Sequence, residues 1–189
     1  MQFDNDIESC LDVLNTGGII LYPTDTVWGI GCDATNEKAV AKIYTVKKRN
    51  EEKSMIILVA DEAAILDYIS HANPVIFDYI KGIHKPTTVI YGNAKGLAKN
   101  LINSDGSVGI RIVKDNFCRQ LINRFGKPIV STSSNVSGFP PPAYFEDIDI
   151  QIKSGVDYIV QHRQDDFTPA EPSTVVRLDN EGRISIIRP

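Results

Sequence analysis

Apolar residues Ile7, Cys10, Leu11 and Leu14 recur at spacings of three and four, and Gly17-Gly18 follows, so the pattern predicts a helix over residues 4–15 with a glycine stop. Residues 18–22 then read as a strand ended by Pro23. Thr35 or Asn36 can cap a second helix whose apolar stripe is Ala39, Val40, Ile43 and Val46, running into Lys47-Lys48-Arg49. Continuous β-prone runs predict buried strands at 55–59, 87–91, 107–112 and 128–132. Helical stretches are expected near 61–69 and 74–81, the second opened by Pro74 where a missing amide is tolerated. Phe117, Leu121 and Ile122 before Gly126 mark another helix. After residue 138, Pro140-Pro141-Pro142 excludes helix and favours an extended, stiff flap. The remainder predicts a helix at 145–153, strands near 156–161 and 174–178, a turn at Asn180-Glu181-Gly182 and a final strand at 183–187. This order lacks strict β-α-β alternation. It favours an α/β fold with a mixed sheet and surrounding helices over a Rossmann or barrel design. No linker, repeat or low-complexity tract divides the chain, so one domain over 1–189 is expected.

The 189 residues suffice for a substantial core without disulfide staples. A net charge of -4 argues against a strongly basic nucleic-acid coat protein, since such affinity rests on Lys and Arg meeting phosphates. Cys10, Cys32 and Cys118 are odd in number and lack Cys-x-x-Cys spacing, which fits reduced thiols better than a disulfide frame or a zinc site. The N-terminus carries no signal-like apolar region and no run is long enough to span a bilayer, so a cytoplasmic protein without membrane association is expected.

The chemistry-bearing residues exclude several classes. There is no Gly-x-x-x-x-Gly-Lys-Ser/Thr loop, Gly29-Ile30-Gly31 lacks the third glycine of a dinucleotide fingerprint, and no Gly-x-Ser-x-Gly elbow is present. His71, His84 and His162 have no acid or nucleophile at telling spacings. What remains is a set of cations (Lys47, Lys48, Arg49, Lys53, Arg111, Arg188) and of hydroxyls and amides (Thr24, Thr26, Ser133, Asn135, Ser173, Thr174). Arginine meets carboxylate or phosphate with a planar fork, and lysine adds a mobile point charge. The polar run Thr132-Ser133-Ser134-Asn135 directly follows a buried strand, at the rim where α/β sheets commonly bind ligands. Residues alone support a small anionic ligand at strand ends.

Several motifs stand in one order along nearly the whole chain: Tyr22-Pro23-Thr24-Asp25-Thr26 with Trp28-Gly29-Ile30-Gly31-Cys32-Asp33-Ala34, the Lys47-x-Arg49 unit, Val108-Gly109-Ile110-Arg111, the Ser133-x-Asn135 unit, and Pro172-Ser173-Thr174-Val175-Val176. In these the chain resembles the YrdC family of L-threonylcarbamoyladenylate synthases, called TsaC in bacteria, in its short single-domain form. The resemblance implies an open, twisted mixed sheet with a central basic cleft. It also implies a nucleotidyltransferase that joins L-threonine, bicarbonate or carbon dioxide, and ATP into threonylcarbamoyl-AMP and pyrophosphate, for later transfer to tRNA by other proteins. By the same likeness, Lys47 and Arg49 would be catalytic. Lys47, Arg49, Lys53 and Asn135 would hold the nucleotide's phosphates, with Arg188 near the nucleotide. Thr26, Ser133 and Ser173 would grip threonine, with Arg111 at its carboxylate. Magnesium would arrive on the ATP phosphates, with no protein residue assigned to it.

The chain departs from the family pattern at Asn50-Glu51-Glu52-Lys53-Ser54-Met55, at His84-Lys85-Pro86-Thr87-Thr88 and at Val113. These departures keep a paralogue of the YciO sort, with a different reaction, as an alternative. An RNA-binding module is a second alternative, since the family cleft is basic.

Overall fold

A computed structural model describes residues 3–50, 55–178 and 183–189. Its centre is a nine-stranded mixed sheet in the order β7-β1-β2-β6-β3-β5-β4-β8-β9. The strands are β1 (Ile20–Tyr22), β2 (Gly29–Gly31), β3 (Ile56–Val59), β4 (Thr87–Tyr91), β5 (Val108–Ile112), β6 (Ile129–Ser133), β7 (Tyr158–Ile159), β8 (Thr174–Leu178) and β9 (Ile184–Arg188). β3 runs parallel to β5 and antiparallel to β6, while β4 is antiparallel to β5 and parallel to β8. The mixed sheet expected from the irregular element order is therefore present.

The helices are α1 (Asp4–Asn15), α2 (Glu37–Lys47), α3 (Ile65–Tyr68), α4 (Pro74–Lys81), α5 (Asn116–Phe125) and α6 (Ile150–Gly155). Their ends follow local chemistry. Asn36 accepts from the Lys38 and Ala39 amides at the start of α2, Asn73 accepts from Val75 before α4, and Asp115 accepts from Cys118 before α5. Gly126 ends α5 at φ +72°, a left-handed conformation that glycine adopts without a Cβ penalty. The buried stripes of α1 (Ile7, Cys10, Leu14) and α5 (Phe117, Leu121, Ile122) join one core with the inward residues of β1, β3 and β6. The three cysteines are free and buried within it. No described helix is long and apolar enough to cross a membrane.

Four expectations need correction. The helix expected at 145–153 occupies only Ile150–Gly155, because Asp149 caps it by accepting from Gln151 and the preceding residues turn instead. The stretch at 61–69 keeps one helical turn, Ile65–Tyr68, and the strand at 156–161 shortens to Tyr158–Ile159. β2 is an addition to the expected elements, since two of its three residues are glycine, ordinarily unfavourable in strands. Here glycine is required: a Cβ on Gly31 would lie 2.6 Å from the Val130 carbonyl oxygen and 2.7 Å from the Tyr22 ring. The turn expected at Asn180-Glu181-Gly182 lies outside the described residues.

Candidate functional site

A cleft of about 200 Å³ crosses one face of the sheet. Its floor is the C-terminal half of β6 (Ser131, Thr132, Ser133), Gly29 at the start of β2, Ile56 at the start of β3 and Arg111 on β5. Gly29 and Ser133 are direct cross-strand partners, and Ile56 lies opposite both Ser131 and Gly109, so strand register alone gathers these positions. Thr26, Arg49, Ser173 and Arg188 close the sides, and Pro141 and Pro172 bring two proline-rich loops to the mouth.

Two of the cleft hydroxyls, those of Thr26 and Ser133, arrive with their proton direction constrained. Thr24 donates to the Val27 carbonyl (2.9 Å) and accepts from the Thr26 amide (3.0 Å). The 2.9 Å contact between the two threonine hydroxyls is therefore donated by Thr26, whose lone pairs stay available as acceptors. Ser133 likewise donates to the Asn135 side-chain oxygen, and Asn135 is held in that orientation because its amide nitrogen donates to the Val136 and Phe139 carbonyls. Ser173 is buried and shares a 2.8 Å hydrogen bond with Thr88 on β4. Such acceptors suit an ammonium or a ligand hydroxyl.

Three arginines come from three separate elements. Lys48 takes a left-handed φ of +49° after α2, and the Arg49 amide donates back to the Tyr44 carbonyl at 2.9 Å. That turn carries Arg49 off the helix axis to the cleft wall. Arg111 is 3% exposed and faces Asp25 at 3.0 Å. The contact lacks hydrogen-bond geometry: Arg111 Nε and Nη2 and Asp25 Oδ1 are enclosed without a directed partner. Arg111 also lines the cleft, so its guanidinium is within reach of a ligand there. Arg188 on β9 donates to the Ser173 carbonyl at 2.8 Å, which ties the last strand to the site. Burial lowers the Arg49 pKa, and burial followed by the Arg111 charge lowers that of Arg188. Among the described residues lining the cleft there is no carboxylate. Three arginines gathered at one cleft favour an anionic ligand there.

Of the sequence-derived candidates, Thr26, Arg49, Arg111, Ser133, Ser173 and Arg188 converge here. Lys47 does not: its side chain is fully buried beneath β6, donating to the Ser133 and Asn135 carbonyls, the latter at 2.7 Å. Desolvation, then the Arg49 charge, pushes its pKa down to about 7. Asn135 is next to the cleft, but both its amide protons are spent on carbonyls of the flap. Lys53 lies outside the described residues. Asp25 and Thr88, which hold Arg111 and Ser173, are not among the sequence-derived site residues; Asp25 stands within the Thr24-Asp25-Thr26 motif and is the legible one. No group of three or more His, Cys, Asp or Glu among the described residues could hold a metal ion.

Comparison with known proteins shows the family and the fold. The model of the Sua5, YciO and YrdC family, described as "Telomere recombination", matches residues 12–189. A threonylcarbamoyl-AMP synthase of Vibrio parahaemolyticus is 30% identical over 152 residues, covering 78% of this chain and 82% of the relative. The crystal structure of P. abyssi Sua5 complexed with L-threonine superposes with a TM-score of 0.85 at 22% identity. That match covers 97% of this chain and 53% of the other, so this chain spans about half its length. E. coli YciO gives a TM-score of 0.83 at 20% identity, over 97% of this chain and 88% of that one. At these identities the two structures establish the shared fold.

Proposed function

The chain belongs to the Sua5, YciO and YrdC family, and from that premise we propose that it is an L-threonylcarbamoyladenylate synthase. It joins L-threonine, bicarbonate or carbon dioxide, and ATP into threonylcarbamoyl-AMP and pyrophosphate. The product serves threonylcarbamoyl-adenosine modification of tRNA, the transfer being carried out by other proteins. The observation that carries this reading is the convergence of Arg49, Arg111 and Arg188 with the acceptor hydroxyls of Thr26 and Ser133 in one cleft. A zwitterionic amino acid with a polyphosphate beside it needs that combination.

In this reading Arg111 meets the threonine carboxylate through a charge-assisted hydrogen bond, and Thr26, Ser133 and Ser173 receive its polar groups. Arg49 and Arg188 take the ATP phosphates. The threonine ammonium gives up a proton to solvent, the free amine adds to carbon dioxide and loses a second proton to water to give the carbamate, and a carbamate oxygen then attacks the α-phosphorus as the bond to pyrophosphate breaks. Two negatively charged reactants must approach one another, so rate comes from alignment and from neutralising charge that builds on the phosphates. No acid-base dyad is required. Magnesium enters with the nucleotide, held by phosphate oxygens and water. The arginines and hydroxyls of the cleft form no cage for it, and no step is assigned to it.

The test is pyrophosphate release by the purified protein with ATP, magnesium and bicarbonate, comparing L-threonine, L-serine and no amino acid. Threonine-dependent release is expected. A folded protein that binds ATP yet releases nothing would favour a paralogue of different activity, and salt-dependent RNA binding without turnover would favour a nucleic-acid module.

A further inference from the structure

Among the described residues Lys47 is the largest fully buried side chain that bears an ionisable amine, and the cleft leaves it unused. It sits on the apolar face of α2 with Val40, Ile43 and Tyr44, and none of its surface reaches solvent. Both hydrogen bonds of its amino group go to backbone carbonyls of one short loop, those of Ser133 and Asn135. The Lys47 backbone carbonyl accepts from the Ser137 amide at 2.8 Å, so the same residue grips the loop at a third point. The loop is further bound by the Ser134 amide donating to the Trp28 carbonyl at 3.0 Å. Within it, Ser133 donates to Asn135, and Asn135 donates to Phe139 at 2.6 Å. A continuous chain of hydrogen bonds thus runs from α2 through Ser133 to the proline flap, whose Pro141 lines the cleft.

We propose that Lys47 is a positioning residue, and not a ligand of phosphate: its amino group fastens the Ser133–Asn135 loop, so that the hydroxyl offered to the amino acid and the flap over the nucleotide are held in one frame. Two carbonyls directed at Lys47 are two carbonyls turned away from the cleft, where they would repel carboxylate and phosphate alike. An amine that is enclosed and largely deprotonated above neutral pH supplies hydrogen bonds without supplying charge to the substrate. Arg49, two residues on and past the left-handed turn, supplies the charge.

The two roles differ in what they do to threonine. A phosphate ligand acts on ATP affinity and leaves binary threonine binding alone, whereas a loop fastener acts on both. The experiment uses Lys47→Met, which keeps length and apolar packing but removes the donors, in the full chain. Threonine affinity is measured by calorimetry without nucleotide, and amide hydrogen exchange at Ser134 and Ser137 is followed in the free protein. At least a tenfold loss of threonine affinity and at least a tenfold faster exchange at both amides are expected. Unchanged exchange with unchanged threonine affinity and weakened ATP binding would overturn the proposal and restore the phosphate role. Should Lys47→Met fail to fold, Lys47→Gln, whose amide retains two donors on a shorter stem, serves in the same two measurements with a smaller effect expected. The threonine arm rests on the synthase reading; the exchange arm does not. Wild-type protein that binds no threonine would therefore refute that reading while the exchange rates still decide the role of Lys47.

Discussion

Arg111 and Asp25 offer the sharpest test of how the cleft reads its amino acid. Their side chains are 3% and 9% exposed and stand 3.0 Å apart, so neither charge has water to fall back on. Replacing Arg111 by Met leaves Asp25 buried without its counter-ion, which costs about 3–5 kcal/mol. For a chain of this size that lowers the melting temperature by roughly 6–20 °C. Removing both charges in Arg111→Met/Asp25→Asn relieves the penalty. The side-chain oxygen of the introduced asparagine can still accept from the Lys114 amide as Asp25 does, and stability should return to within about 1–2 kcal/mol of wild type. Threonine binding should not return. One charge-assisted hydrogen bond to the carboxylate contributes about 1.5–3 kcal/mol, so the double variant should show a threonine KM raised roughly 10–150-fold. The assays are thermal denaturation for the pair and pyrophosphate release across a threonine titration. A double variant that regains stability and keeps its threonine KM within about threefold of wild type would refute Arg111 as the carboxylate partner.

The other predictions address the phosphate site, the sheet and the buried lysine. Arg49→Glu should abolish pyrophosphate release while circular dichroism stays native, because the residue is only half-buried at the cleft wall; normal turnover would reject its placement. Gly31→Ala puts a Cβ within 2.6 Å of the Val130 carbonyl oxygen, which cannot move without β6, so a loss of about 1–3 kcal/mol is expected in urea denaturation. Lys47 titrates at about 7 in the folded chain against an ordinary 10.5. Between those values the unfolded chain holds a proton that the native state lacks, so this contribution to stability grows as pH rises and is lost as pH falls toward 7. The stability of wild type relative to Lys47→Met should therefore rise by about 2–3 kcal/mol from pH 7 to pH 9. A difference independent of pH would show that the two carbonyls accepting from the amino group keep it charged.

Much of this architecture is legible because burial writes a periodic signal. The strands at 87–91 and 174–178 match their expected bounds to the residue, since each is a β-prone run bounded by a turn former or proline. β2 is invisible in the sequence for the opposite reason. Its glycines are there to let Tyr22 and β6 approach, and an absence of side chain leaves no pattern to read. The helix at 145–153 fails on competition between local signals, as Asp147 accepts from the Tyr144 amide and holds a turn where the apolar spacing allowed a helix.

At the site, the sequence names the residue types but withholds the direction in which each points. Lys47 and Arg49 lie in one motif and look equivalent as cations. Lys47 is the last residue of α2, and the left-handed Lys48 turns the chain before Arg49, so the two cations leave the backbone in different directions. The helical period already said which is buried: Val40, Ile43, Tyr44 and Lys47 follow spacings of three, one and three, which puts Lys47 on the stripe that α2 buries. A lysine on an apolar stripe needs acceptors under it, and the nearest carbonyls belong to the loop that ends β6. Chemistry of residue type therefore pointed to the Lys47-x-Arg49 motif, whereas the division within it follows from geometry: Lys47 is enclosed against the carbonyls of Ser133 and Asn135, and Arg49 lines the cleft.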